Sequence, residues 1–225
     1  MQREEKVPLT GGLHAKMIYG AVLLAFLFFC PALSFSSSCS QDKVARIQKG
    51  YEGLQDITGD FVQKSHIKDL KQTEIFQGQF FIKRPLKMKW EYTGEHAQEV
   101  FIRDEEILIY QKKEKQAFRG RFSSDTYGQV PIALLSGFGE IDDQFHISEK
   151  GDRLILKPKK SMRGIISIEV VLAEGDFPIG SFTIYDTHAN TIELKLKNVK
   201  VNTGMKDTLF DPVLPKGIPL YESGL

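Results

Sequence analysis

The chain has 225 residues, 41% hydrophobic and 26% charged, a make-up that excludes a disordered or polytopic membrane protein and suits one globular domain. Its 30 Lys and Arg balance 29 Asp and Glu, so nucleic acid, which asks for a basic stripe, is not expected as a partner.

The first forty residues do not read as fold. An apolar run of about 13 residues, Ile18 to Cys30, follows Lys16 and ends at Pro31 and a Ser-rich stretch. It is too short to span a bilayer, which takes about 20 residues, and has the charged, apolar and small-residue zones of a secretory signal. The expected signal is residues 1–38, with cuts after Ser34 or Ser38 and with Met17 as an alternative start. The domain then comprises residues 39–225. Its charge balances at 27 of each sign, because residues 1–38 carry three Lys or Arg and two Glu. Only Cys39 survives such a cut, so no internal disulfide is expected. Cys39 also has a second reading, as the lipidated first residue of a lipoprotein, although Leu is absent from the three serines before it.

Beyond the signal, Val44, Ile47, Tyr51 and Leu54 stand at helical spacing, which predicts an amphipathic helix over Gln41–Leu54. From Ile57 the period changes to two. The segments ITGDFVQKSHI, TEIFQGQFFIKRP, KMKWEYTG, QEVFIRD, EILIYQKK and KQAFRGR read as successive strands with short polar breaks. Val130 to Phe138 is apolar without alternation and lies between Gly128 and Gly139, which suggests a short helix or an apolar flap. Strands resume with DQFHISEK, DRLILKPK, GIISIEVVLA, PIGSFTIYD and TIELKLKNVKVN. Ten or eleven strands with few helices describe an antiparallel meander curled into a barrel or part of one.

Alternate residues of a strand share a face. Met88, Trp90 and Tyr92 therefore point one way, with Lys87, Lys89 and Glu91 turned to the other side, toward water. Phe76, Gly78, Phe80 and Ile82 share a face of the preceding strand, and Ile107 and Ile109 share a face of a later one. Such a face is either the inside of a filled barrel or the lining of a site for an apolar ligand. Pro85 removes a ladder donor, so Arg84 is expected at a strand end on the rim of that face.

Motifs for catalysis are weak. There is no G-x-S-x-G turn. Ser65-His66-Ile67-Lys68 matches S-x-x-K but follows a strand pattern instead of opening a helix. The histidines, His14, His66, His96, His146 and His188, are scattered, and none pairs with Cys, Asp or Glu at a metal-ligand spacing. Asp142-Asp143 and Glu105-Glu106 fall in polar turns. No enzyme, metal or cofactor is expected.

The stretches LQDITGDFVQKS (with Phe61-x-Gln63), FQGQFFIKRPLKMKWEY, EILIYQKKEKQ, VPIALLSG and LFDPVLPKGI occur in an order and spacing that resemble the LolA-type periplasmic lipoprotein carrier proteins of Gram-negative bacteria. The most specific piece is G-x-x-x-x-K-R-P-x-x-x-x-W-x-Y, from Gly78 to Tyr92. The resemblance implies a mainly β fold: an incomplete, half-open antiparallel barrel of about eleven strands whose concave side is closed by a helical lid. It implies that the cavity holds the acyl chains of lipoproteins. It also implies two partners, an ATP-driven ABC-type release complex in the inner membrane and a receptor lipoprotein in the outer membrane, with the carrier itself a monomer. By the same resemblance Arg84 ties the lid to the barrel and favours cargo release. The cavity would be lined by Phe61, Phe76, Phe80, Ile82, Met88, Trp90, Tyr92, Ile107 and Ile109, with Ile132, Leu134 and Leu135 from the lid. Two departures stand out: Arg103-Asp104-Glu105-Glu106 replaces the family's D-G-K turn, and an aromatic usual in the next strand is missing from ILIY. Two other readings stay open, a membrane-anchored receptor or lipid-binding sensor module of the same fold if Cys39 is lipidated, and an envelope hydrolase using Ser65 and Lys68.

Overall fold

A computed structural model of the chain describes residues 38–122, 141–162 and 164–222. Helix α1 (Ser38–Tyr51) starts one turn before the predicted helix, and Leu54 falls in the turn after it. Among the described residues twelve strands follow: β1 (Asp56–Ile67), β2 (Gln72–Lys83), β3 (Lys87–Tyr92), β4 (Gln98–Arg103), β5 (Glu106–Gln111), β6 (Gln116–Arg121), β7 (Phe145–Lys150), β8 (Arg153–Pro158), β9 (Ile165–Leu172), β10 (Ile179–Asp186), β11 (Thr191–Val201) and β12 (Leu220–Glu222). A four-residue helix α2 (Ile141–Gln144) precedes β7 and contains Asp142 and Asp143, which the sequence assigns to a turn.

The strands form one sheet in the order β12-β6-β5-β4-β3-β2-β1-β11-β10-β9-β8-β7. Two antiparallel meanders, β1–β6 and β7–β11, are joined through the pairing of β1 with β11. The outermost strands, β12 and β7, do not pair, so the sheet stays open. All the pairings among β1 to β11 are antiparallel; β12 is a twelfth strand, parallel to β6.

Registry turns period-two sequence into rows of side chains. Phe80, Trp90, Val100, Ile109 and Phe118 lie side by side across β2 to β6, and Ile82, Met88, Ile102 and Ile107 form the next row. Leu194, Phe182, Val170 and Leu154 make a similar row across β11 to β8. These rows, apart from Phe118, which stacks on Tyr221, belong with the buried Val44, Ile47 and Tyr51 of α1 to a single apolar cluster. The amphipathic helix thus supplies a cover to the concave side, as its 3-4-3 spacing dictates.

The opposite face of the sheet is not simply wet. Phe101, Leu108, Tyr110 and Ala117 form a second buried cluster on the outer side of β4 to β6, capped by Leu214 and Ile218 of the C-terminal segment. That segment leaves β11 and is tied down by Asp207, which accepts from Lys83 and Lys87, both at 2.7 Å. Those two ammonium groups hold the Asp207 carboxyl down at about 2. Lys87 and Lys89, expected to point into water, have side chains only 18% and 15% exposed. They do face away from the concave side, but the C-terminal turn covers Lys87, and Lys89 lies over the Phe101 ring.

Asp56 closes the same end of the sheet. It is buried and accepts hydrogen bonds from the Thr203 N–H and hydroxyl (2.7 and 2.8 Å), the Gly204 N–H (2.9 Å) and the Met205 N–H (3.2 Å). Burial works to raise its pKa, but these bonds, the Thr203 hydroxyl first, outweigh it and hold the carboxyl below its usual range. A depressed folded-state value means stabilisation that is complete above the ordinary carboxylate value and lost as pH falls through the folded one. Asp56→Asn is therefore expected to cost about 2 kcal/mol near neutral pH. Its deficit against the parent should shrink below about pH 4, as urea unfolding at a series of pH values would show; an equal deficit at every pH would contradict this account.

Candidate functional site

The concave face carries a ladder of aromatic rings. Phe61 lies 4.7 Å from Trp90 and 5.1 Å from Tyr92, Phe80 stacks on Trp90 at 5.8 Å, and Phe76 meets Tyr92 at 6.1 Å and His96 at 5.1 Å. Strand alternation places these rings on one face, while Gly59 and Gly78 leave the room they need. A Cβ on Gly59 would stand 3.0 Å from the Phe80 ring, and one on Gly78 would stand 3.0 Å from that of Phe61.

The residues assigned to a cavity from sequence come together here. Phe61, Phe80, Ile82, Met88, Trp90 and Ile107 are buried in the one cluster that α1 covers, Tyr92 and Ile109 pack half-buried against it, and Phe76 is half-buried at its end. Ile132, Leu134 and Leu135 lie outside the described residues.

Arg84 sits at the end of β2, as its proline neighbour predicts. Its N–H donates to Gln55 O at 2.9 Å, and its guanidinium lies over the Tyr51 ring, 5.9 Å from the centroid. The rim arginine thus meets helix α1 among the described residues. Beneath it Tyr51, Leu54, Ile57, Ile82 and Pro85 close around a void of about 10 Å³. Burial raises the Tyr51 phenol well above its usual range, and the Arg84 charge pulls it partly back. Burial also pushes Tyr92 up to about 12.

Three polar atoms within this apolar region have no hydrogen-bond partner among the described residues: the Tyr51 hydroxyl, Trp90 Nε1 and Gln63 Oε1. Buried polar groups are normally satisfied, so these three stand out inside an apolar site. Gln63 was not assigned to the site from sequence. The signal was its place two residues after Phe61 on the same strand face, where its register partner is Phe76. Ser65, one member of the S-x-x-K match, lies within β1 and accepts from Gln63 Nε2 at 3.0 Å, while Lys68 lies in the turn beyond the strand. They do not have the helix-start geometry that motif uses.

An unclosed antiparallel sheet with a ring-lined concave side under an amphipathic helix defines a half-open β-barrel with an apolar interior. A family model described as outer membrane lipoprotein carrier protein LolA matches residues 52–213, and the chain belongs to that family. Among curated relatives, an outer-membrane lipoprotein carrier protein of Bordetella avium is 26% identical over 88% of this chain and 94% of its own length. One from Helicobacter hepaticus is 29% identical over 76% and 86%. Among solved structures, an uncharacterized conserved protein from Thermus thermophilus shares the fold with a TM-score of 0.50 at 11% identity, covering 81% of this chain and 98% of that one.

Proposed function

We propose that the protein is a periplasmic chaperone that takes up the acyl chains of lipoproteins leaving the inner membrane and delivers them to the outer membrane. The observation that carries this reading is the shared apolar core of an open sheet and one covering helix, a site able to exchange its own side chains for a ligand. Family membership and the names of the relatives support it. In this reading residues 1–38 are an export signal, and residues 39–225 are the carrier. Cargo comes from an ABC-type release complex and passes to an outer-membrane receptor lipoprotein. Binding and release, with no bond made or broken, are its whole task.

Burying an acyl chain is worth about 0.8 kcal/mol per methylene, so a chain of a dozen methylenes offers roughly 10 kcal/mol. That is enough to displace a covering helix whose polar ties lie at the rim. A carrier must also let go, which requires contacts that exist only in the empty, closed form. Arg84 over Tyr51 is such a contact, because it needs α1 in place.

The test is a release assay. The chain lacking residues 1–38 is incubated with energised spheroplasts carrying labelled lipoprotein, and the label is expected in solution as a complex with it. Absence of any complex, with acyl probes also unbound, would sink the reading. Arg84→Leu is expected to load normally and to release cargo roughly two- to five-fold less readily, the equivalent of one rim cation–π contact of about 0.5–1 kcal/mol. Unchanged transfer by Arg84→Leu would remove the release role while leaving carriage intact.

A further inference from the structure

Strand β2 outruns its neighbour. Its pairing with β3 ends at Gly78, where Tyr92 is the partner, and Thr93 N–H then donates to Gln77 O at 2.9 Å before the chain turns away. Gln72 to Phe76 continue to pair with β1 in unbroken register, yet have no strand on their other side among the described residues. Peptide groups of a strand alternate in direction. Since Gln77 O points toward β3, Thr73 and Ile75 turn their N–H and C=O groups to that same open side.

Exposed edges are normally blunted by Lys, Pro or a bulge. This one, Gln72-Thr73-Glu74-Ile75-Phe76, has none of these, and Ile75 is 66% exposed. A groove of about 580 Å³ runs beside it, with the Gly94–His96 turn as its far wall. The groove also adjoins the ring ladder. Rings deep in the ladder are fully buried, whereas Phe76 and Tyr92 at this end are half-exposed, and His96 both packs on Phe76 and lines the groove.

Charge indicates the occupant. Glu74 and Glu95 line the groove, and among the described residues neither forms an ion pair and no Lys or Arg lines it. Two copies of this chain joined edge to edge would bring these carboxylates toward one another, which disfavours self-pairing. An extended peptide with a basic residue has the opposite charge, and main-chain bonds to an open edge accept such a strand with little regard to its sequence. On the carrier reading above, the lipid is attached at the first residue of the cargo, so the polypeptide just after it leaves the concave face beside its lipid.

We infer that the free edge of β2 receives the first few residues following the acylated cysteine of a lipoprotein, added as an extra strand, with basic residues favoured by Glu74 and Glu95. The carrier then holds both lipid and peptide, and does so through backbone groups that suit cargoes of varied sequence.

The probes are a synthetic triacylated cysteinyl peptide carrying Ser and four Lys, and the same triacylated cysteine without the peptide. The parent chain is expected to bind the lipopeptide at least tenfold more tightly, with the Thr73 and Ile75 amides becoming protected from hydrogen exchange. Ile75→Pro removes an N–H that makes no bond to β1. It should abolish the tenfold difference without changing affinity for the peptide-free lipid. Equal binding of both probes by the parent, or no new protection at Thr73 and Ile75, overturns the inference and leaves carriage standing. Failure of both probes to bind would instead strike at the carrier reading. Dimers in sedimentation that Ile75→Pro converts to monomers, with lipopeptide affinity unchanged, would make a second copy the occupant and overturn the inference as well.

Discussion

Gly78→Ala is expected to remove roughly 3 kcal/mol or more of stability, the upper range for an overpacked interior position. A methyl group there would stand 1.8 Å from Glu91 O and 2.8 Å from its carbonyl carbon, and 3.0 Å from the Phe61 ring. The first two contacts are with backbone, so no change of rotamer relieves them. Only a shift of β3 away from β2 could, and that would break the row that places Trp90 beside Phe80. Gly94→Ala is the control. Nothing lies within 4 Å of its added carbon, and the only cost is a positive φ of 80°, about 1 kcal/mol. Urea midpoints of the two variants should therefore differ clearly; equal losses would show that the close approach at Gly78 is not what constrains it.

Gly78 also marks where sequence reading succeeds and where it stops. Its place in G-x-x-x-x-K-R-P was readable as a pattern, but the reason for glycine lies in β3, on the other side of a turn. The same holds more widely. Period-two alternation placed β1 to β11 because nearly all of them have one face in a common core, β6 excepted, and the rings assigned from Phe61 to Tyr92 do share that face. Strand β12 escaped notice because three exposed residues, Leu220 to Glu222, carry no period. The outer cluster was missed for a different reason. Lys87 and Lys89 look like a wet face, and only a segment far along the chain, from Asp207 onward, covers that side. A signal did exist, since VFI in β4 and ILIY in β5 are continuous apolar runs, as expected of strands buried on both faces. That the polar atoms of Tyr51, Gln63 and Trp90 find no partner among the described residues could not be read at all, because it is a property of the packed interior.

Ile47→Asp should lift α1 from the sheet while leaving the strands paired. Ile47 is fully buried against the concave cluster, and an unpaired carboxylate there costs several kcal/mol. Against this stand rim contacts: Lys43 with Glu149 and Gly151 O, Arg46 with Ala173 O and Glu174, and Gln48 with Asp142. Partly exposed contacts of this kind are each worth about 1 kcal/mol or less, so the buried charge prevails. The ladder of β1 to β11 is made of backbone bonds in which α1 takes no part, and a second cluster on the outer face holds β4 to β6. The chain has a single tryptophan, Trp90, now 1% exposed, which reports on the uncovered face. Expected are a red shift of its emission, about a tenfold rise in binding of an apolar dye, and a retained β-sheet circular dichroism signal. Ile47→Leu should resemble the parent. If Ile47→Asp instead lost sheet signal and tryptophan burial together, α1 would be a fixed part of the core, and a carrier of this fold would have to open elsewhere.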